Sequence, residues 1–210
     1  MLEIFLAGGP VMFPLLLCSV LVLTVVIERI FFWLFTDRNR DRILVADVLE
    51  LARDGNWEAI RSRATGSRDF VIRILISGIL HRDFSMAKAM EAAAAVEVQR
   101  MRRYMGVLDT IITVAPLLGI FGTVNGNIHT FEKLGSAGIN DPQAVTVGVA
   151  QALITTAAGL GIAIFSVFPF NYFNAKVDRA VMEIESTATS LEIGFDKQAH
   201  AIERRPGAAP

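Results

Sequence analysis

The 210-residue chain has 20 Lys/Arg against 21 Asp/Glu and a formal net charge of −1, a balance that does not indicate a nucleic-acid partner. Its 53 % hydrophobic content and mean hydropathy of +0.48 exclude an ordinary water-soluble composition. With 20 % of residues still charged, the apolar residues must be gathered into blocks, and the single Cys18 excludes an intramolecular disulfide.

Three blocks lack Asp, Glu, Lys and Arg: residues 4–27, 110–131 and 142–175. Each exceeds the ~20 residues a helix needs to cross a bilayer, so the chain reads as an all-α membrane protein with three transmembrane helices. The N-terminal segment, 1–11, leads into the first span, 12–35. This block lacks the basic flank and cleavage site of a secretory signal peptide. Its end, Ile30-Phe31-Phe32-Trp33-Leu34-Phe35, has the composition of an interfacial aromatic belt. Cys18 lies inside the span, where packing is its expected role.

Residues 36–106 form a long polar loop with short helices expected to break near Gly55 and Gly66-Ser67. Met86, Met90, Ala94, Val98, Met101 and Met105 recur at three- and four-residue steps, the pattern of one apolar helix stripe. No Pro or Gly interrupts residues 85–104, so this helix is expected to run through Gly106 into the second span, 107–131. A short loop, 132–143, leads to the third span, 144–173. That helix is expected to continue into the tail, 174–210, whose last seven residues have a disordered composition.

Residues 36–107 hold 13 Lys/Arg and the tail holds 5; the first segment holds none and the short loop only Lys133. By the positive-inside rule the long loop and the tail are cytoplasmic, with the N-terminus and the short loop outside. The second and third helices then extend into the cytoplasm. The loop's Arg residues are interleaved with ten Asp/Glu, as on a solvated helical surface.

The second and third spans carry the informative side chains. Ala115, Gly119, Gly122 and Gly126 follow steps of four, three and four, giving a seam of small residues that permits close helix approach. Thr123 and Asn127 share a neighbouring line. In the third span Ala152, Thr156, Gly159 and Ala163 form a second seam, and Gln151 and Thr155 share an adjacent face. Two readings stay open at this level: plain packing through small residues, or a polar strip lining a water-accessible path. Pro116 predicts a local kink in the second span.

No Asp, Glu, Lys or Arg lies deep in any span; Glu28 and Asp109 sit toward the ends. Thr, Asn and Gln do not titrate, so a proton path through these helices needs a carboxylate from another chain. Glu28 and Arg29 read as an interfacial ion pair. His81, His129 and His200 have no metal-ligand spacing, and no nucleophile–base set or phosphate loop is visible, so neither cofactor nor enzymatic activity is expected.

Ala115-Pro116-Leu117-Leu118-Gly119-Ile120-Phe121-Gly122-Thr123-Val124-Asn125-Gly126 resembles the second-span signature of the MotA/TolQ/ExbB proton channel family. Gly148-Val149-Ala150-Gln151-Ala152-Leu153-Ile154-Thr155-Thr156-Ala157-Ala158-Gly159-Leu160 resembles its third-span signature. Three spans and an outside N-terminus are similar to ExbB and TolQ rather than four-span MotA. The resemblance implies an inner-membrane homopentamer in lipid whose second and third helices ring a pore. Inside it would stand an ExbD- or TolR-like single-span partner whose Asp carries the proton, with work delivered to a TonB- or TolA-like protein. Thr123 and Thr156 match the family's pore threonines. Two positions depart from the pattern: Gln151 stands where the family has Glu, and Phe165 where it has Pro, with Pro169 one turn later. A non-conducting scaffold packed through its small-residue seams is the competing expectation.

Overall fold

The computed structural model describes residues 8–82, 84–137 and 142–203. The expected N-terminal segment, short loop and disordered terminus therefore fall in part outside the described residues. Those that are described form seven helices: α1 (Met12–Arg38), α2 (Arg42–Arg53), α3 (Trp57–Ala64), α4 (Phe70–Leu80), α5 (Met86–Met101), α6 (Met105–Ala137) and α7 (Pro142–Glu203). There is no strand among them. Three helices are long and apolar enough to cross a membrane, over Met12–Arg38, Met105–Glu132 and Gly148–Lys197. The chain is an all-α membrane protein. At 62 residues, α7 is about three times as long as a bilayer crossing requires.

The chain divides into two compact units, Met1–Arg29 with Tyr104–Asn174, and Ile30–Arg103 with Ala175–Pro210. The first holds the charge-poor parts of α1, α6 and α7. Its core is a cluster of Val11, Leu15, Ile111 and Ala115, flanked by Met12, Cys18, Val22, Val107, Leu118, Ala158 and Ile162. Cys18 thus packs, as its position suggested. Most of the apolar surface faces outward: Leu17, Leu23, Phe121, Leu153 and Phe165 are all more than half exposed. Such a surface is unfavourable in water and is satisfied by hydrocarbon or by neighbouring helices. Pro116 lies inside α6 without ending it. Glu28 and Arg29 form a two-pronged ion pair at 2.5 and 2.6 Å, with the Arg29 side chain fully buried and its guanidinium 5.8 Å from the Tyr104 ring centroid.

The second unit is built from α2–α5 and the later part of α7. Side chains of Asp41, Asn56 and Asp69 cap α2, α3 and α4, accepting from Leu44, Ala59 and Val71 amides at 2.9, 3.2 and 2.8 Å. Gly55 and Gly66 take positive φ of 72° and 87° where the helices were expected to break. Val48, Ile60, Ile72, Leu75, Met90 and Leu191 are fully buried. Buried Asp69 also accepts from the Asp41 amide at 2.7 Å and pairs with Arg40, which reaches Glu183 of α7. Trp33 is buried, with the Lys176 ammonium 5.1 Å from its ring centroid, while Phe31 and Phe35 are exposed.

One expectation about helix continuity is corrected. The helix over 85–104 does not run into the second span; α5 stops at Met101, and α6 begins at Met105. Tyr104 has φ of +64°, a left-handed conformation that breaks the helical hydrogen-bond ladder. Composition did not reveal this, because neither Gly nor Pro marks the break. The cost of a left-handed non-glycine residue, about 1–2 kcal/mol, is opposed by the contact of the Tyr104 ring with Arg29.

Candidate functional site

The site begins with glycines. A Cβ on Gly119 would stand 3.0 Å from both Thr155 O and Thr156 Cα, so α6 and α7 approach backbone to backbone. A Cβ on Gly159 would run into Ala115 O and lie 3.1 Å from Gly119 Cα. Gly126 faces Ala152, whose Cβ would be 3.3 Å from an added one. The two small-residue seams, Gly119, Gly122 and Gly126 on α6 and Ala152 and Gly159 on α7, therefore meet each other. Ala163 is buried on α7 about one turn beyond Gly159.

Close approach brings hydroxyls to carbonyls. Thr123 donates to Gly119 O and Ala152 O, both at 3.2 Å, and shares a hydrogen bond with the Thr156 hydroxyl. Thr156 Oγ1 lies 3.1 Å from Gly119 O. Thr155 is fully buried against Gly122 and lies 2.8 Å from Ala152 O and 3.4 Å from Gly119 O. Thr123, Thr155 and Thr156 thus converge on the Gly119 carbonyl. Thr130, not singled out from the sequence, adds a fourth hydroxyl, buried, bonded to Gly126 O at 2.8 Å and facing Gly148. Its spacing of four from Gly126 was the available signal.

The hydroxyl pair occupies a particular side of the helix pair. Leu118 and Ala158 pack against the cluster that Val11 and Leu15, at the start of α1, form with Ile111 and Ala115. At about 100° per residue, Thr123 stands ~140° around α6 from Leu118, and Thr156 ~160° around α7 from Ala158. Thr123 and Thr156, both half-buried, therefore lie along the α6–α7 groove opposite the one α1 fills. Asn127, one turn from Thr123, is half-buried on the same line. Gln151 is not brought to this pair. It lies on the α1 flank of α7, where its amide meets Gly9, whose φ of +71° and missing Cβ make room for it. No group of three or more potential metal ligands occurs among the described residues.

Comparison with known proteins identifies the family. The MotA/TolQ/ExbB proton channel family matches residues 68–186, more than half of the chain. ExbB-like 1, a biopolymer transport protein of Synechocystis, is 40 % identical over 92 % of this chain and 78 % of its own length. ExbB of Xanthomonas campestris is 37 % identical over 55 % of this chain and 46 % of its own. TolQ of Haemophilus influenzae, a Tol-Pal system protein, is 37 % identical over 43 % of this chain and 40 % of its own. The chain belongs to the MotA/TolQ/ExbB proton channel family.

Proposed function

We propose that this family member is the channel-wall, stator-like subunit of an inner-membrane motor driven by the proton-motive force, and not an enzyme. What supports the reading is the Thr123–Thr156 hydroxyl pair on the α6–α7 groove that α1 leaves open. The hydroxyls can orient and solvate a carboxylate but cannot release a proton at physiological pH. The titrating group therefore comes from a partner: a single-span ExbD- or TolR-like protein whose transmembrane Asp stands against this groove. Asn127 extends the polar line. Thr155 and the glycine seam hold the two helices close, while Gln151 keeps its neutral amide on the α1 flank against Gly9. Five copies of the chain, in lipid, surround the partner as a ring. Residues 36–106 and 174–210 are cytoplasmic, and 1–11 and 132–143 periplasmic, in keeping with the Lys/Arg distribution. Work passes to a TonB- or TolA-like protein that spans the periplasm.

A scaffold reading draws on one observation: each of these hydroxyls already has a backbone carbonyl partner, as packing threonines do. Proton flux separates the two. Membrane vesicles holding the chain with its Asp-bearing partner are expected to lose most proton flux with Thr156→Val, which keeps side-chain volume and removes the hydroxyl. Flux equal to that of the parent would overturn the channel-wall assignment and leave the scaffold.

A further inference from the structure

Gln151 lies in the third span, inside the stretch 142–175 that lacks Asp, Glu, Lys and Arg. Its carboxamide can both donate and accept, yet it makes no hydrogen bond among the described residues. An amide kept from partners and from water is costly at membrane depth, so something other than these side chains answers it. Asn127 is likewise unpartnered among the described residues, but it borders the open groove, where the partner's helix stands. Gln151 points to the other flank, toward α1.

What it meets there is backbone. Residues 8–11 form turns before α1 begins at Met12, whose amide bonds to Gly9 O at 3.1 Å. Pro10 has no amide to give. The Gln151 amide nitrogen occupies the place that a Cβ of residue 9 would take, and Gly9 holds a φ of +71°. Non-helical backbone beside a membrane span is tolerated where it is buried in protein or lines water. Gly9 is half-buried and Pro10 exposed, so this place is open. From Gln151 the polar atoms continue inward. Thr155 stands one turn further on the same face of α7. Its buried hydroxyl lies 3.4 Å from Gly119 O, on which Thr123 and Thr156 also converge. Gln151, Thr155 and the Gly119 carbonyl thus form a polar line that passes between α6 and α7, from the α1 flank to the open groove.

We infer that water enters from the periplasmic side between the start of α1 and α7, is held by the Gln151 carboxamide, and feeds protons through Thr155 to the Thr123–Thr156 pair. The route deepens the channel-wall reading and rests on it. Gln151 is a positioning residue: it gains and loses no proton, but donates to and accepts from water, along whose hydrogen bonds the proton passes.

Two measurements test the route, on the full chain with its Asp-bearing partner in right-side-out vesicles. In a Cys18→Ser background, Gln151→Cys is expected to lose its free thiol to a membrane-impermeant, positively charged methanethiosulfonate added outside. Leu153→Cys, two residues away on the outward apolar surface, should keep its thiol, because hydrocarbon excludes a charged reagent. Reaction of neither, equal reaction of both, or reaction of Gln151→Cys from the cytoplasmic face alone overturns the route. Proton flux is the second readout: Gln151→Leu should lose most of it, and Gln151→Asn, which keeps a carboxamide, should lose less. An asparagine variant as inactive as the leucine variant overturns the role of the amide. Parent flux in Gln151→Leu with flux lost in Thr156→Val overturns the route and leaves the channel-wall reading standing; parent flux in both overturns both. Should Gln151→Leu fail to insert, the thiol reaction decides.

Discussion

Replacing Gly159 by alanine adds one methyl group to the closest point between α6 and α7. The new Cβ would meet Ala115 O, Gly119 Cα at 3.1 Å and Gly119 N at 3.2 Å, all backbone atoms of a helix that cannot turn aside. The helices must separate by several tenths of an ångström, and overpacking of this kind costs about 1–3 kcal/mol. The Thr156–Gly119 O contact, 3.1 Å in the parent, lengthens with them, adding roughly 0.6 kcal/mol for a weakened interhelical hydrogen bond. Gly161 supplies the control, since a Cβ there meets nothing within 4 Å. Gly161→Ala is expected to be neutral or to stabilise by up to ~1 kcal/mol through helix propensity. The two substitutions are chemically identical and two residues apart, yet they should differ by about 2–4 kcal/mol in denaturant unfolding in detergent. Equal stability of the two variants would refute the backbone-contact reasoning.

In the second unit, Asp69→Ala removes the α4 cap and leaves Arg40 without its buried partner; a loss of about 3–5 kcal/mol is expected in thermal unfolding. Asp69→Asn, which keeps an oxygen for the Val71 amide, should lose less, and an equal loss would show that the cap oxygen is immaterial and the charge carries the effect. At the α5–α6 break, Tyr104→Gly relieves the left-handed conformation whereas Tyr104→Ala keeps it, and both lose the Arg29 contact. The glycine variant should therefore be about 1 kcal/mol more stable than the alanine variant by denaturant titration; the reverse order would mean that the backbone there is helical.

Three spans, the long extension of the third helix and the meeting seams were legible in the chain itself, because bilayer thickness sets segment length and helical period sets the face on which small residues fall. The breaks at Gly55 and Gly66 were legible for a related reason: a positive φ costs glycine almost nothing, so the residue marks the place. Tyr104 was not, since neither Gly nor Pro marks the left-handed position and its ring meets Arg29, a residue 75 positions away in the chain. The burial of Trp33 was not legible either, because it depends on neighbours distant in the chain such as Lys176. Sequence alone thus determined which segments enter the membrane and which residue types could touch. Only the tertiary structure decided that Thr123 and Thr156 share a hydrogen bond on the groove away from α1 while Gln151 turns to Gly9. Hydropathy and period are properties of one helix, whereas the choice of facing residue belongs to a pair.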